Sequence, residues 1–292
     1  MILSFGYVAL YAVIVGIASF VERPLGRGIG AYQLNVLIRV GSLATSLAAL
    51  FATHGLTLPP ISADLSGLGL GLISGAGSIL YCFALADLPV SLVVVFANLY
   101  ILPTTLLGIA VLREPITVPK IVGILCTIVG VTLLSHTPSR YAVDPENRCG
   151  QGARRLRAYI AMAAYVVVIG VVAFLEKPAL SSLDATQLNG LMALSMTAVA
   201  CLALGVERPK LVVTRPAVDK LGVGAMIGAA SVFYFLGLRQ LPVSIAAASS
   251  NSYVVVTMLL STVFLRERMT VPKGAGMILT ILGVTLLALI AP

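Results

Sequence analysis

The chain has 292 residues, of which 59% are hydrophobic and only 10% charged, with a net charge of +8. A water-soluble domain carries roughly 25% charged residues, so this composition excludes a soluble globule. The basic excess does not point to nucleic acid either, because most of the Lys and Arg flank apolar runs, as they do in membrane proteins.

Runs of about 18 or more residues without charge are long enough to cross a bilayer as a helix. Leu3–Val21 is the first and Tyr32–Thr53 the second, the latter interrupted only by Arg39. From Leu65 to Leu112 the chain is apolar except for Asp87. One helix of that length would be about 70 Å long, more than twice the hydrocarbon thickness. The run must fold back, and Asp87-Leu88-Pro89 is the place, since proline ends one helix and can start the next. Spans three and four follow, and Ile121–His136 is the fifth. The remainder repeats the pattern with Ala158–Leu175, Thr186–Val206, Leu221–Leu238, Val243–Leu265 and Gly274–Ile290.

The repetition extends to individual residues. At an offset of 153, Pro89 returns as Pro242, Asn98 as Asn251, Tyr100 as Tyr253, Glu114 as Glu267 and Lys120 as Lys273. At an offset of 154, Tyr11 returns as Tyr165, Gly16 as Gly170, Glu22 as Glu176 and Asn35 as Asn189. Internal repetition on this scale fixes the architecture. The expected fold is all-α integral membrane, ten transmembrane helices arranged as two five-helix repeats. An odd number of crossings makes the second repeat inverted about an axis in the membrane plane. Residues 1–136 form the first repeat and 158–292 the second, joined by a polar, basic linker over 137–157.

Loops on the linker side carry 14 Lys and Arg against four on the other. The positive-inside rule then places the linker in the cytoplasm and both termini outside, in a multi-pass protein of the bacterial inner membrane. Four cysteines (Cys82, Cys126, Cys149, Cys201) show no ligand or disulfide spacing. His54 and His136 stand at the ends of different helices. No metal, cofactor or nucleic acid is expected, and no Ser-His-Asp set or paired acids support an enzyme.

Two five-helix repeats, each with a proline hairpin and a helix ending in Leu-Arg-Glu, are similar to the drug/metabolite transporter superfamily, EamA type. The resemblance rests on Leu112-Arg113-Glu114, Gly123 and Gly130-Val131, on Leu265-Arg266-Glu267, Gly276 and Gly283-Val284, and on Arg39. It implies a secondary transporter with a central cavity lined by spans 1–4 and 6–9, with spans 5 and 10 peripheral. The chain departs from the small multidrug relatives in having Val13-Ile14-Val15 where they carry a first-helix carboxylate.

Polar groups inside a membrane span are candidates for function. Asn35, Arg39, Ser42 and Ser46 share one helical face. Arg39 has no counterpart in the second repeat, and its planar fork suits a carboxylate or phosphate. A structural partnership with Glu22 or with backbone carbonyls is the alternative. Tyr11 and Glu22, and likewise Tyr165 and Glu176, are eleven residues apart, close to three turns. The two glutamates are proton-binding or gating candidates, or else interfacial charges paired with Arg23 and Lys177. Tyr81 and Tyr234 lie at equivalent positions, as do Asn98 and Asn251, which either line a midplane site or hold helices together. Tyr100 and Tyr253 are assigned to packing. The substrate-binding set is therefore Tyr11, Asn35, Arg39, Tyr81, Asn98, Tyr165, Asn189, Tyr234 and Asn251. The expected solute is a small polar metabolite, with an amino acid or similar zwitterion, exported, in the lead. An anionic sugar or phosphate, or a drug-like cation, is the alternative, and a membrane-embedded enzyme or a receptor the other class. Proton coupling is a candidate mechanism, and the chain is expected as a monomer or homodimer in the bilayer.

Overall fold

The computed structural model describes residues 2–25, 30–55, 61–88, 90–135, 151–207, 215–264 and 269–290. The described residues are helical almost throughout: α1 (Ile2–Leu25), α2 (Ala31–His54), α3 (Ile61–Asp87), α4 (Val90–Asn98), α5 (Ile101–Leu112), α6 (Val118–Ser135), α7 (Gln151–Ala179), α8 (Ala185–Glu207), α9 (Arg215–Leu238), α10 (Val243–Ser250), α11 (Tyr253–Phe264) and α12 (Val271–Ile290). Eight of the spans they build are long and apolar enough to cross a bilayer, and Phe96–Leu112 and Val118–Leu134 are shorter apolar stretches that complete ten. Large apolar side chains such as Leu106, Leu202, Val206 and Leu289 stay exposed on the outer surface. In lipid such a surface is fully compatible with a folded chain, because the solvent there is as apolar as leucine.

The fourth and ninth spans are each broken, at Asn98–Tyr100 and at Asn251–Ser252, so ten spans contain twelve helical segments. At both breaks the backbone bonds close over three residues: Leu99 N to Phe96 O (3.0 Å) and Leu102 N to Leu99 O (2.9 Å), then Ser252 N to Ser249 O (3.1 Å) and Val255 N to Ser252 O (3.0 Å). This is 3₁₀ tightening. Pro103 has no N–H to return to Leu99 in the first break. In the second, Ser250 and Ser252 donate their hydroxyls back to Ala247 O and Ser249 O at 2.9 and 2.7 Å, which competes with the helical ladder.

The two repeats interlock about the pseudo-twofold. Thr104 Oγ1 donates to Gly170 O at 3.0 Å, joining α5 to α7, and its copy Thr257 Oγ1 donates to Gly16 O at 3.0 Å, joining α11 to α1. The closing helices α6 and α12 pack antiparallel with their backbones nearly touching. A Cβ on Gly130 would lie 2.7 Å from Gly276 O, and one on Gly276 would lie 2.7 Å from Gly130 O. Helix α7 begins at Gln151, so the last residues of the expected 137–157 linker are already helical. The side chain of Glu22 and the whole of Glu267 lie outside the described residues.

Candidate functional site

A cavity of about 190 Å³ lies at the seam between the repeats. Its walls come from α1 (Tyr11), α2 (Arg39, Ser42), α3 (Ser74), the break before α5 (Tyr100), α7 (Ile169, Val172, Ala173, Glu176), α8 (Asn189, Met192, Ala193, Met196), α9 (Ile227, Ser231, Tyr234, Phe235) and α10 (Ser250). Helices α6 and α12 contribute nothing to the lining, so spans five and ten are peripheral as the resemblance implied.

Of the predicted binding residues, Tyr11, Arg39, Asn189 and Tyr234 line this cavity. Among the described residues, the buried Nε of Arg39 has no hydrogen-bond partner, and Nη1 reaches only the Met196 thioether at 3.8 Å. Tyr11 stacks at a tilt on Tyr234 with ring centroids 5.3 Å apart. Asn189 Nδ2 is also committed to structure, donating to Ser46 Oγ (2.9 Å) and Gly228 O (3.0 Å). Asn35 is outside the cavity lining and donates to Ser78 Oγ at 3.0 Å. Tyr81 and Tyr165 form their own pair, 5.4 Å between centroids, against Ala84, Leu88, Val93, Ala158 and Met162. Asn98 and Asn251 are buried at the two helix breaks.

Of the two glutamates, Glu176 reaches the cavity. It is only 9% exposed, and its carboxyl group has no hydrogen-bond or ion-pair partner among the described residues. The pairing with Lys177 does not form. Lys177 Nζ instead donates to Leu238 O (2.7 Å), Arg239 O (3.1 Å) and Leu241 O (2.7 Å), satisfying carbonyls at the end of α9, where a helix prefers a cation.

Tyr100 does pack against the main core, but packing is not its whole role. Assigned to packing, it lines the cavity, and its hydroxyl meets Ser250 Oγ at 3.3 Å and Asn251 Oδ1 at 3.4 Å across the repeats. An even helical rotation through Asn98–Tyr100 hides the second role, because the chain there is overwound. The run of Ser249, Ser250, Asn251 and Ser252, unlike anything in the fourth span, was the available signal for both the break and Ser250.

A polar belt ties the repeats on the face that carries the N-terminus. Ser4 Oγ donates to Gln240 Oε1 at 2.5 Å, Thr53 meets Thr186 at 3.0 Å, and His54 Nε2 lies 2.5 Å from Asp184 Oδ2. Glu114, in the Leu-Arg-Glu motif, reaches from the first repeat to the start of α10, accepting from Val243 N at 2.6 Å and from the Ser244 hydroxyl. Lys120 Nζ donates to the same carboxylate at 2.8 Å. The motif acid thus accepts the bonds offered by the start of a short helix in the opposite repeat, capping it from a distance in sequence.

Ten apolar spans, an inverted duplication and a polar cavity in the seam define a membrane transporter. The EamA-like transporter family model matches the chain twice, over residues 3–136 and 156–289, and the chain belongs to that family, within the drug/metabolite transporter superfamily. Its members are transporters rather than enzymes. No curated protein matches the sequence. One solved crystal structure, titled only as that of a protein, covers 99% of this chain and 98% of its own, at 18% identity and a TM-score of 0.78, which shows the shared fold alone.

Proposed function

We propose that this transporter exports an amino acid or a similar small zwitterion, by alternating access of the seam cavity to the two sides of the membrane. The observation that supports the reading is Arg39, a guanidinium facing the cavity with its buried Nε unpartnered. A buried cation without an acid is costly, and a substrate carboxylate relieves that cost with bidentate geometry. A doubly charged phosphate fits less well, because Arg39 is the one basic side chain among the described residues of the lining. The basic loops support a cytoplasmic linker in an inner membrane.

The test is counterflow in proteoliposomes against a panel of amino acids and sugar phosphates. Amino acids should exchange and sugar phosphates should not. Arg39→Ala should weaken a carboxylate-bearing solute by about tenfold or more. Unchanged affinity in that variant would remove the basis of the reading.

A further inference from the structure

Arg39 accounts for one pole of the cavity, and the other pole is chemically its opposite. Glu176 presents a carboxyl group with no cation beside it among the described residues, and the neighbouring Lys177 is turned away to the α9 carbonyls. Three tyrosines from three other spans line the cavity with it: Tyr11 on α1, Tyr100 immediately before α5 and Tyr234 on α9. Tyr234 also packs against Phe235 at 5.6 Å. An acid among aromatic side chains in a buried cavity is chemistry that suits an ammonium group, since ring quadrupoles attract a cation and desolvation strengthens the effect.

The two poles lie at different depths. Arg39 is eight residues into α2, about 12 Å from that helix's start. Glu176 is three residues before the end of α7, about 5 Å from the opposite face. The separation exceeds the single carbon that divides carboxylate from ammonium in an α-amino acid.

Building on the transport reading above, we infer that Glu176, Tyr11, Tyr100 and Tyr234 form an ammonium-binding subsite, and that the cavity selects solutes whose ammonium lies several carbons from their carboxylate. Diamino acids and ω-amino acids have this form. With Arg39 holding the carboxylate, the chain of the solute runs along Val172 and Ala173.

The experiment is ligand-induced thermal stabilisation of the purified full-length protein, with glycine, 4-aminobutyrate, 6-aminohexanoate, hexanoate and hexylammonium as probes. Wild type should bind 6-aminohexanoate about tenfold or more tightly than glycine or hexanoate. Glu176→Gln should abolish the hexylammonium response and spare hexanoate, whereas Arg39→Gln should do the reverse. Equal wild-type binding of hexanoate and 6-aminohexanoate would overturn the subsite. So would a hexylammonium response that survives Glu176→Gln, since the carboxyl would then be holding a proton instead. Should Glu176→Gln not fold, the wild-type comparison decides together with Glu176→Asp, which keeps the acid and must keep hexylammonium binding. Hexylammonium binding without any response to hexanoate or to Arg39→Gln would remove the Arg39 reading and leave the ammonium subsite standing.

Discussion

Replacing Glu114 by Gln tests whether the Leu-Arg-Glu acid works as a cap between repeats. The carboxylate accepts three bonds, from Lys120 Nζ, Val243 N and Ser244 Oγ. Both members of the ion pair are almost fully covered, with side-chain exposures of 5% for Lys120 and 8% for Glu114. A glutamine keeps one acceptor for α10 but turns an N–H₂ toward the lysine, or the reverse. Two bonds to a charged group are lost or weakened, each contributing about 1.5 kcal/mol or more, and Lys120 is left with Pro115 O at 3.4 Å as its polar contact in the loop. The expected cost is about 3 kcal/mol, at the low edge for breaking a buried pair. At about 2 °C per kcal/mol, the low end for a long chain, the apparent melting midpoint in detergent should fall by about 6 °C. Circular dichroism at a fixed scan rate reads it. Lys120→Met alone should also destabilise, but the double variant should lose less than the sum of the two by about 1–2 kcal/mol, because no orphaned charge remains. A shift under about 1 °C, or strict additivity in the cycle, would refute the capping role.

Three further outcomes follow from particular contacts. Gly224→Ala should strongly destabilise or prevent assembly, because its Cβ would collide with Ile38 O and lie 2.8 Å from Ile38 Cα. Gly222→Ala, two residues away in the same helix with nothing within 4 Å, should be neutral or gain up to about 1 kcal/mol from helix propensity; detergent-extracted yield and melting distinguish the two. Tyr100→Phe removes the hydroxyl that meets Ser250 and Asn251 and should cost about 0.5–1.5 kcal/mol while keeping the ring, so hexylammonium should still stabilise the variant. Asp184 caps α8, accepting from Thr186 N, Thr186 Oγ1 and Gln187 N at 2.8, 2.8 and 3.0 Å. Its burial works to raise its pKa, but the bonds from Gln187 and Thr186 together with His54 outweigh burial and hold it below the usual carboxylate range. A depressed folded pKa adds stability above the unfolded value of about 3.9, lost as pH falls through the folded one. Asp184→Asn, which keeps a good cap, should therefore melt below wild type at pH 7 and converge with it in acid.

The duplication, the ten spans and the hairpin at Leu88 were readable because each is a matter of composition or of matched residues, and the bilayer imposes a length on every helix. Arg39 was readable too, as a lone cation in an apolar run. Side-chain direction was harder. Asn35 and Asn189 sit at matched positions on the same kind of face, yet Asn35 bonds to Ser78 and leaves the lining, while Asn189 borders the cavity through its bonds to α2 and α9. Which tyrosine pair meets the cavity depends on how the helices tilt, and matched sequences cannot carry that. The role of Glu114 was hidden for a different reason: its partner lies 129 residues away in the other repeat, and the pattern shows only that a Leu-Arg-Glu exists.

What the two repeats keep in common and where they differ divides scaffold from site. The kept features hold backbones together in lipid, where apolar area drives no association between helices: Thr104 on Gly170 is matched by Thr257 on Gly16, and the Tyr11–Tyr234 stack by Tyr165–Tyr81, both tilted at 46°. The differences fall on the cavity. Arg39 faces Ala193 in the copy, and Ser250 corresponds to Ala97. The scaffold holds two matched tyrosine pairs and one guanidinium. Arg39 lines the cavity with Tyr11 and Tyr234 and also stands within electrostatic reach of Tyr165 in the other pair. Because the copy of its position is Ala193, the charge belongs to the first repeat alone, and the cavity is chemically asymmetric although its scaffold is not.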